Sequence, residues 1–199
     1  MRILAFSDLH TDLDQAANLV EMSSEADVVI GAGDFASIHN GLEETIEALS
    51  AIDKPTVLVA GNNETLEALR EAASGWDAAT VLHGDSVEID GVNFFGLGGG
   101  IPVTPWDWSY DVEETEAENL LSGLAGGGVL VVHSPPKGHC DEASGGLSLG
   151  STAILKAIED KQPKLAVCGH IHESWGRTSR VGDTEIANLG PGGTYFEIS

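Results

Sequence analysis

Basic side chains are scarce in this chain. Nine Lys and Arg stand against 32 Asp and Glu, for a formal charge of -23. A field of that sign repels nucleic acid and anionic membranes at long range, which argues against a nucleic-acid polymer or a membrane surface as partner. Cysteine is nearly absent: Cys140 and Cys168 form no CxxC pair, so no disulfide framework is expected. Cys168 sits in an apolar run and reads as a buried thiol. No apolar run approaches the length of a membrane span. Residues 1–7 are too few for a signal-peptide core and meet Asp8 at once, so the expected location is cytoplasmic. Internal repeats and linkers are lacking too, which leaves one domain over residues 1–199.

What the chain does have is dispersed acidity and ordinary hydrophobicity, 42% of residues. Acidic residues spread along the chain, with no acidic tail and little lysine, fit a halophilic protein whose self-repulsion is screened by counterions. The plainer alternative is an acidic cytosolic protein of no special habitat.

Short apolar runs without alternation occur at residues 3–6, 28–30, 57–60, 129–132 and 165–168. Runs of this kind suit strands covered on both faces. Helical patterns lie between them. Leu13, Ala16, Ala17 and Val20 share one face after Thr11 or Asp12 as cap; Leu42, Ile46 and Leu49 repeat the pattern. Leu66, Leu69 and Ala73 form a third, ended by Gly75. Ile154, Leu155 and Ile158 follow Ser151 as cap, and Pro163 stops that helix. Asp90-Gly91 between apolar runs reads as a hairpin turn, and residues 185–187 and 195–198 as further strands. The class is α/β, with layered sheet and helix. Residues 98–111 carry two prolines, two tryptophans and no periodicity, which marks a functional loop.

Five motifs close the five apolar runs: Asp8-Leu9-His10, Gly33-Asp34, Gly61-Asn62-Asn63-Glu64, Val132-His133-Ser134 and Gly169-His170-Ile171-His172. In an open α/β sheet, ligands bind beyond the carboxyl ends of strands. Five strands would deliver these groups to one sheet edge. Two carboxylates, one carboxamide and four imidazoles are donors suited to hard and borderline divalent ions. A water shared by two such ions loses a proton near neutral pH and becomes a nucleophile for phosphoester hydrolysis. Glycines at 33, 61 and 169 let the chain turn beside the ions. Singly, each motif is also a plain turn sequence; the ordered set is not explained by stability.

The order Asp-x-His, Gly-Asp, Gly-Asn, His, Gly-His-x-His from Asp8 to His172 resembles the calcineurin-like metallophosphoesterase family. Gly96-Leu97-Gly98-Gly99, His133-Ser134-Pro135-Pro136 and Asn188-Leu189-Gly190 are similar to its small Icc-related branch. The resemblance implies a four-layer α/β/β/α sandwich of two mixed sheets flanked by helices. It implies two divalent metal ions, Mn first, with Fe, Zn or Ni able to fill such sites. Asp8, His10, Asp34 and His172 would hold one ion; Asp34, Asn62, His133 and His170 the other, with Asp34 bridging. Asp34, Asn62, Asn63 and His133 are the expected catalytic group, and the substrate a small phosphomonoester or phosphodiester. A non-catalytic scaffold of the same fold is the alternative.

One departure stands out. Many family members have histidine directly after Gly-Asn, where it assists the leaving group; here the residue is Asn63. An amide cannot act as a general acid at neutral pH. Leaving groups that depart without a proton, such as aryl oxides, would then be preferred, or His39 or His83 would supply the acid. Trp106 and Trp108 could stack on a base or aryl ring, or cover core. The run 96–100 is not followed by a helix, so a dinucleotide fingerprint is set aside. His139-Cys140, Lys137 and Arg177 carry no specific expectation.

Overall fold

Successive strand residues point to opposite faces, so a strand buried on both faces needs no alternation. The computed structural model, which describes residues 1–198, shows how this applies. In chain order come β1 (Arg2–Phe6), α1 (Leu13–Ser23), β2 (Val28–Ala32), α2 (Leu42–Leu49), β3 (Thr56–Val59), α3 (Leu66–Ala72) and β4 (Ala79–Val81). Then follow β5 (Asp85–Ile89), β6 (Val92–Leu97), α4 (Glu114–Leu121), β7 (Val129–Val132), β8 (Glu142–Ala143) and β9 (Leu147–Ser148). The last elements are α5 (Thr152–Lys161), β10 (Leu165–Cys168), β11 (Thr178–Val181), β12 (Thr184–Asn188) and β13 (Thr194–Glu197). Residue 199, the last of the expected domain, lies outside the described residues.

The strands form two large mixed sheets and a small hairpin. One sheet has the order β13-β1-β2-β3-β4, the other β11-β12-β10-β7-β6-β5, and β8 pairs with β9. In the first sheet β1 to β4 run parallel and β13 antiparallel. In the second, β12, β10, β7 and β6 run parallel, with β11 and β5 antiparallel at its edges. The single open sheet of the strand-end argument is thus two sheets, as the family resemblance implied.

Three apolar clusters separate four layers. Leu4, Phe6, Val29 and Leu58 face Leu19, Ile46 and Leu69 of the first three helices. Their neighbours Ile3, Ala5, Ile30 and Val57 meet Phe94, Val129, Val131 and Val167 between the sheets. Leu130, Val132, Ala166 and Cys168 pack outward on Ala117, Leu121, Ile154 and Ile158 of α4 and α5. Each parallel strand therefore loses apolar surface on both sides, which removes the pressure for a polar face.

Local expectations fare unevenly. Asp12, not Thr11, caps α1, its carboxylate accepting from Gln15 N at 2.9 Å. The buried face of α1 is Ala16, Leu19 and Ser23, whereas Leu13 is 48% exposed. The stripe read in sequence was rotated, because alanines at both its edges leave the helix phase to the packing. Ser151 caps α5 as expected, but Ala153 rather than Leu155 completes its buried face. Asp90 and Gly91 both have positive φ, 48° and 79°, the geometry of the tight turn that joins β5 to β6. Helix α4 carried no sequence signal, since only Ala117 and Leu121 of its residues are buried.

Candidate metal centre

Two sheets contribute to one rim. The carboxyl ends of β1, β2 and β3 bring Asp8, Asp34 and Asn62, while β7 and β10 of the facing sheet bring His133 and His170. A hydrogen bond stitches the halves together: His133 Nδ1 lies 2.8 Å from the Ala32 carbonyl oxygen. Asp8, His10, Asp34 and His170 all hold positive φ, from 46° to 67°. Several non-glycine residues in this sparsely allowed region at one place mark a site whose surroundings over-determine it. Of the three glycines read as sharp turns, only Gly33 has positive φ, 89°. Gly61 and Gly169 serve close approach instead: a Cβ there would overlap the Asp34 or Asp8 carboxylate.

Donor atoms of Asp8, His10 and His172 lie within 4.8 Å of one another, as do those of Asp8, Asp34 and His133. Asp34 presents one oxygen to each side, Oδ2 at 3.6 Å from His10 Nε2 and Oδ1 at 3.4 Å from His133 Nε2. Asn62 Oδ1 lies 3.3 Å from His133 Nε2 and 3.0 Å from His170 Nδ1. His10 Nε2 and His172 Nε2 are 3.2 Å apart. All seven expected ligands therefore meet.

The donor chemistry fits cations. Because its Nδ1–H is committed to the Ala32 carbonyl, His133 has only Nε2 to offer. That nitrogen either carries a second proton toward Asp34 or lends its lone pair to a cation between the Asp34 and Asn62 oxygens. His10 is oriented likewise by the Ala36 carbonyl, 3.2 Å from its Nδ1. Burial opposes charge on His133, yet the Asp34 and Asp8 carboxylates push its pKa up to about 10. Burial also works against the Asp34 carboxylate, but His133 and His10 beside it hold its pKa well below the usual range. His170 is driven down to about 3 by burial and by the positive field of His133, which keeps it a neutral donor. Burial raises the pKa of Asp8 and lowers that of His172.

Outer partners fix these donors. Asp8 Oδ2 accepts from Ser7 Oγ at 2.5 Å and from Trp175 Nε1 at 3.1 Å, and His170 N donates to Oδ1 at 3.1 Å. Asn62 Nδ2 donates to Ser109 Oγ at 3.0 Å, and that hydroxyl donates to Asp111 Oδ1 at 2.7 Å. This relay aims Asn62 Oδ1 at the histidines and ties the loop 98–111 to the site. The sequence does not point to Ser109 or Trp175, whose partners Asn62 and Asp8 lie 47 and 167 positions away, nor to Ser7, whose bond to the adjacent Asp8 carries no pattern. Glu64 closes the Gly61-Asn62-Asn63-Glu64 motif. Its buried carboxylate accepts from Gly61 N at 2.6 Å, Asp34 N at 2.9 Å and Ala36 N at 3.0 Å. It thus holds the β2 and β3 ends together.

Asn63, expected among the catalytic residues, has both polar atoms engaged: Nδ2 donates to Asp34 Oδ2 at 2.7 Å and Oδ1 accepts from Ile38 N at 2.8 Å. His39 Nε2 lies 2.6 Å from the Trp108 carbonyl, and His83 packs near the Tyr110 ring at 6.2 Å. Neither lines the cavity of about 600 Å³ that opens beside the donor cluster.

The two-sheet α/β sandwich carries at its rim a carboxylate–imidazole cluster, buried at Asp8, Asp34 and His133 and open at His172, with the donor set of a metal centre. The sequence model of the calcineurin-like phosphoesterase superfamily domain matches residues 1–197, and the chain belongs to that family. A UPF0046 protein of Caenorhabditis elegans is 29% identical, the match covering 94% of this chain and 69% of that protein. TT1561 of Thermus thermophilus superposes with a TM-score of 0.78 at 18% identity, over 96% of this chain and 90% of that one. A dimetal phosphatase from Danio rerio gives 0.65 at 14% identity, over 96% and 88%. Family membership supports metal-dependent phosphoester hydrolysis in general.

Proposed function

We propose that the chain is a dinuclear-metal-dependent phosphoesterase for small phosphomonoesters or phosphodiesters. Asp8, His10, Asp34 and His172 would hold one divalent ion, and Asp34, Asn62, His133 and His170 the other. The observation that carries this is the position of Asp34, with one oxygen facing His10 and the other His133. Bound there, Mn, Fe, Zn or Ni would polarise the phosphoryl oxygens and acidify water.

The protein's own contribution is to hold the donors before any ion or substrate arrives. Asn63 and Glu64 position Asp34; Ala32 and Ala36 carbonyls set the ring orientation of His133 and His10. Ser109 fixes the Asn62 amide so that its oxygen, not its nitrogen, meets the site. Formal charge of -23 favours a small substrate over a nucleic-acid polymer. Among the described residues no helix is long and apolar enough to cross a membrane.

The test is metal analysis after chelation and re-addition of Mn, Ni, Zn or Mg, followed by a phosphoester panel. Uptake of two ions per chain, a higher melting temperature and restored turnover are expected. At a free ion concentration of about 100 Kd, stabilisation of about 2.7 kcal/mol is expected. His133→Ala should drop uptake toward one ion. A chain that takes up no divalent ion overturns the proposal, and full loading without turnover would favour the scaffold alternative.

A further inference from the structure

The cavity beside the donor cluster has an unusual lining for a site that takes an anion. Ile38, Val103, Trp106, Trp108, Leu149 and Ile171 line it. Six large hydrophobic side chains are exposed among the described residues, and four of them, Ile38, Val103, Trp106 and Leu149, surround this one cavity. Apolar side chains scattered singly need no explanation, but a cluster at a pocket mouth marks a binding surface. Among its described lining residues there is no lysine or arginine. A second phosphate, or a carboxylate on the substrate, would find no cation away from the metal ligands.

The aromatic part of this surface is built and held. Trp106 and Trp108 stack with ring centroids 5.4 Å apart and planes inclined by 11°. Trp106 remains 50% exposed, so the pair has not been withdrawn into the core. His39 fixes the Trp108 carbonyl at 2.6 Å, and Asp111 anchors the loop through Thr104 N at 2.8 Å and Thr104 Oγ1 at 2.9 Å. A rigid flat platform lowers the ordering cost of stacking a ring.

Proton supply points the same way. The titratable residues lining the cavity are His10, Asp34, His170 and His172, all in the donor cluster, and Glu173. The Glu173 carboxylate accepts a hydrogen bond from Ser144 Oγ at 2.5 Å. Asn63 is engaged with Asp34 and Ile38. Among the described residues no imidazole outside the donor cluster lines the cavity, so an alkoxide would depart unprotonated, at a high barrier.

Building on the phosphoesterase reading, we infer that the substrate is a phosphoester of an uncharged aromatic alcohol, whose ring stacks on the Trp106–Trp108 platform. A water oxygen bonds to phosphorus and the bond from phosphorus to the aryl oxygen breaks. The electron pair leaves on the phenolate, which solvent protonates, and the water proton passes to solvent. Trp106 and Trp108 set specificity and take no part in bond making.

The test uses the full chain loaded with Mn and four substrates: 1-naphthyl phosphate, n-octyl phosphate, adenosine 5′-monophosphate and acetyl phosphate. The first should exceed the second and third in kcat/KM by about tenfold or more, the increment of one stacked ring together with a better leaving group. Trp106→Ala should lower the ratio of naphthyl to acetyl phosphate turnover about tenfold, and Trp106→Phe should recover most of it. Binding of the inert 1-naphthylmethylphosphonate, followed by tryptophan fluorescence, should weaken in Trp106→Ala by a similar factor. Equal rates on octyl and naphthyl phosphates, or unaltered phosphonate binding in Trp106→Ala, overturn the inference. So does a concentration-dependent dimer that Trp106→Asp dissolves, since the patch would then serve a second copy of the chain. If acetyl phosphate and the diester bis(4-nitrophenyl) phosphate are both inert with two ions bound, the phosphoesterase reading fails by itself, and the phosphonate titration still decides whether the ring docks.

Discussion

Asn63 grips Asp34 twice: its side-chain Nδ2 donates to Oδ2 at 2.7 Å and its backbone N donates to Oδ1 at 2.9 Å. Asn63 thus orients the carboxylate between His10 and His133. Asn63→Ala keeps the backbone bond and loses the other, along with the tie to Ile38 N. Loss of such an outer partner typically weakens metal binding by about 10–100-fold, and titration calorimetry with Mn is the measurement. Asn63→His adds an imidazole next to the site, so turnover of alkyl phosphoesters should rise relative to aryl ones. An unchanged ratio would show that position 63 does not reach the leaving group.

Glu64 is 1% exposed and takes hydrogen bonds from three backbone N–H groups. Glutamine in its place must turn an NH2 group toward at least one of those donors. An unmet buried polar group costs about 1–3 kcal/mol. For a chain of this size that is a fall in melting temperature of roughly 2–12 °C, readable by calorimetry. Wild-type stability in Glu64→Gln would mean the three-way clamp carries little.

Asp141 gives a pH prediction away from the metal ligands. Burial works against its charge, but Ser148 Oγ at 2.5 Å, Gly138 N at 2.9 Å and Gly150 N at 2.8 Å hold its pKa below the ordinary 3.8. A carboxylate with a lowered folded pKa stabilises the fold above its unfolded pKa, and that contribution disappears as pH falls through the folded value. Stability should therefore decline below about pH 4, and Asp141→Asn should flatten part of that decline. Melting curves of both proteins between pH 3 and pH 6 check it, with parallel curves as the contrary result.

The acidic surface predicts a salt dependence. On α2, Glu43 and Glu47 are exposed one helical turn apart, a repulsive pair with no basic residue in the last turn of the helix. Such repulsion is screened by added salt, so melting temperature should fall as ionic strength drops below about 0.1 M. A flat profile from low to molar salt would remove the halophilic reading and leave a merely acidic protein.

Legibility followed the range of the interactions. The runs 3–6, 28–30, 57–60, 129–132 and 165–168 match strands whose ends differ by at most two residues, because strand burial and the turn after it are written in neighbouring residues. The Asp90-Gly91 hairpin was readable for the same reason. Helix α4 was not, because its two buried residues make too narrow a stripe. The phase of α1 was not, because the sheet beneath it decides which of several small apolar residues turn inward.

The sequence by itself determined the donor inventory and the place of each donor at a strand end, since both follow from residue type and local periodicity. Only the tertiary structure decided which donors each of the two sheets carries, that Asn63 belongs to Asp34, and that Trp106 and Trp108 form an open platform beside them. Those facts rest on partners from 2 to 164 positions apart, such as Trp106 with Trp108 and His172 with Asp8, and packing of whole layers brings the distant ones together.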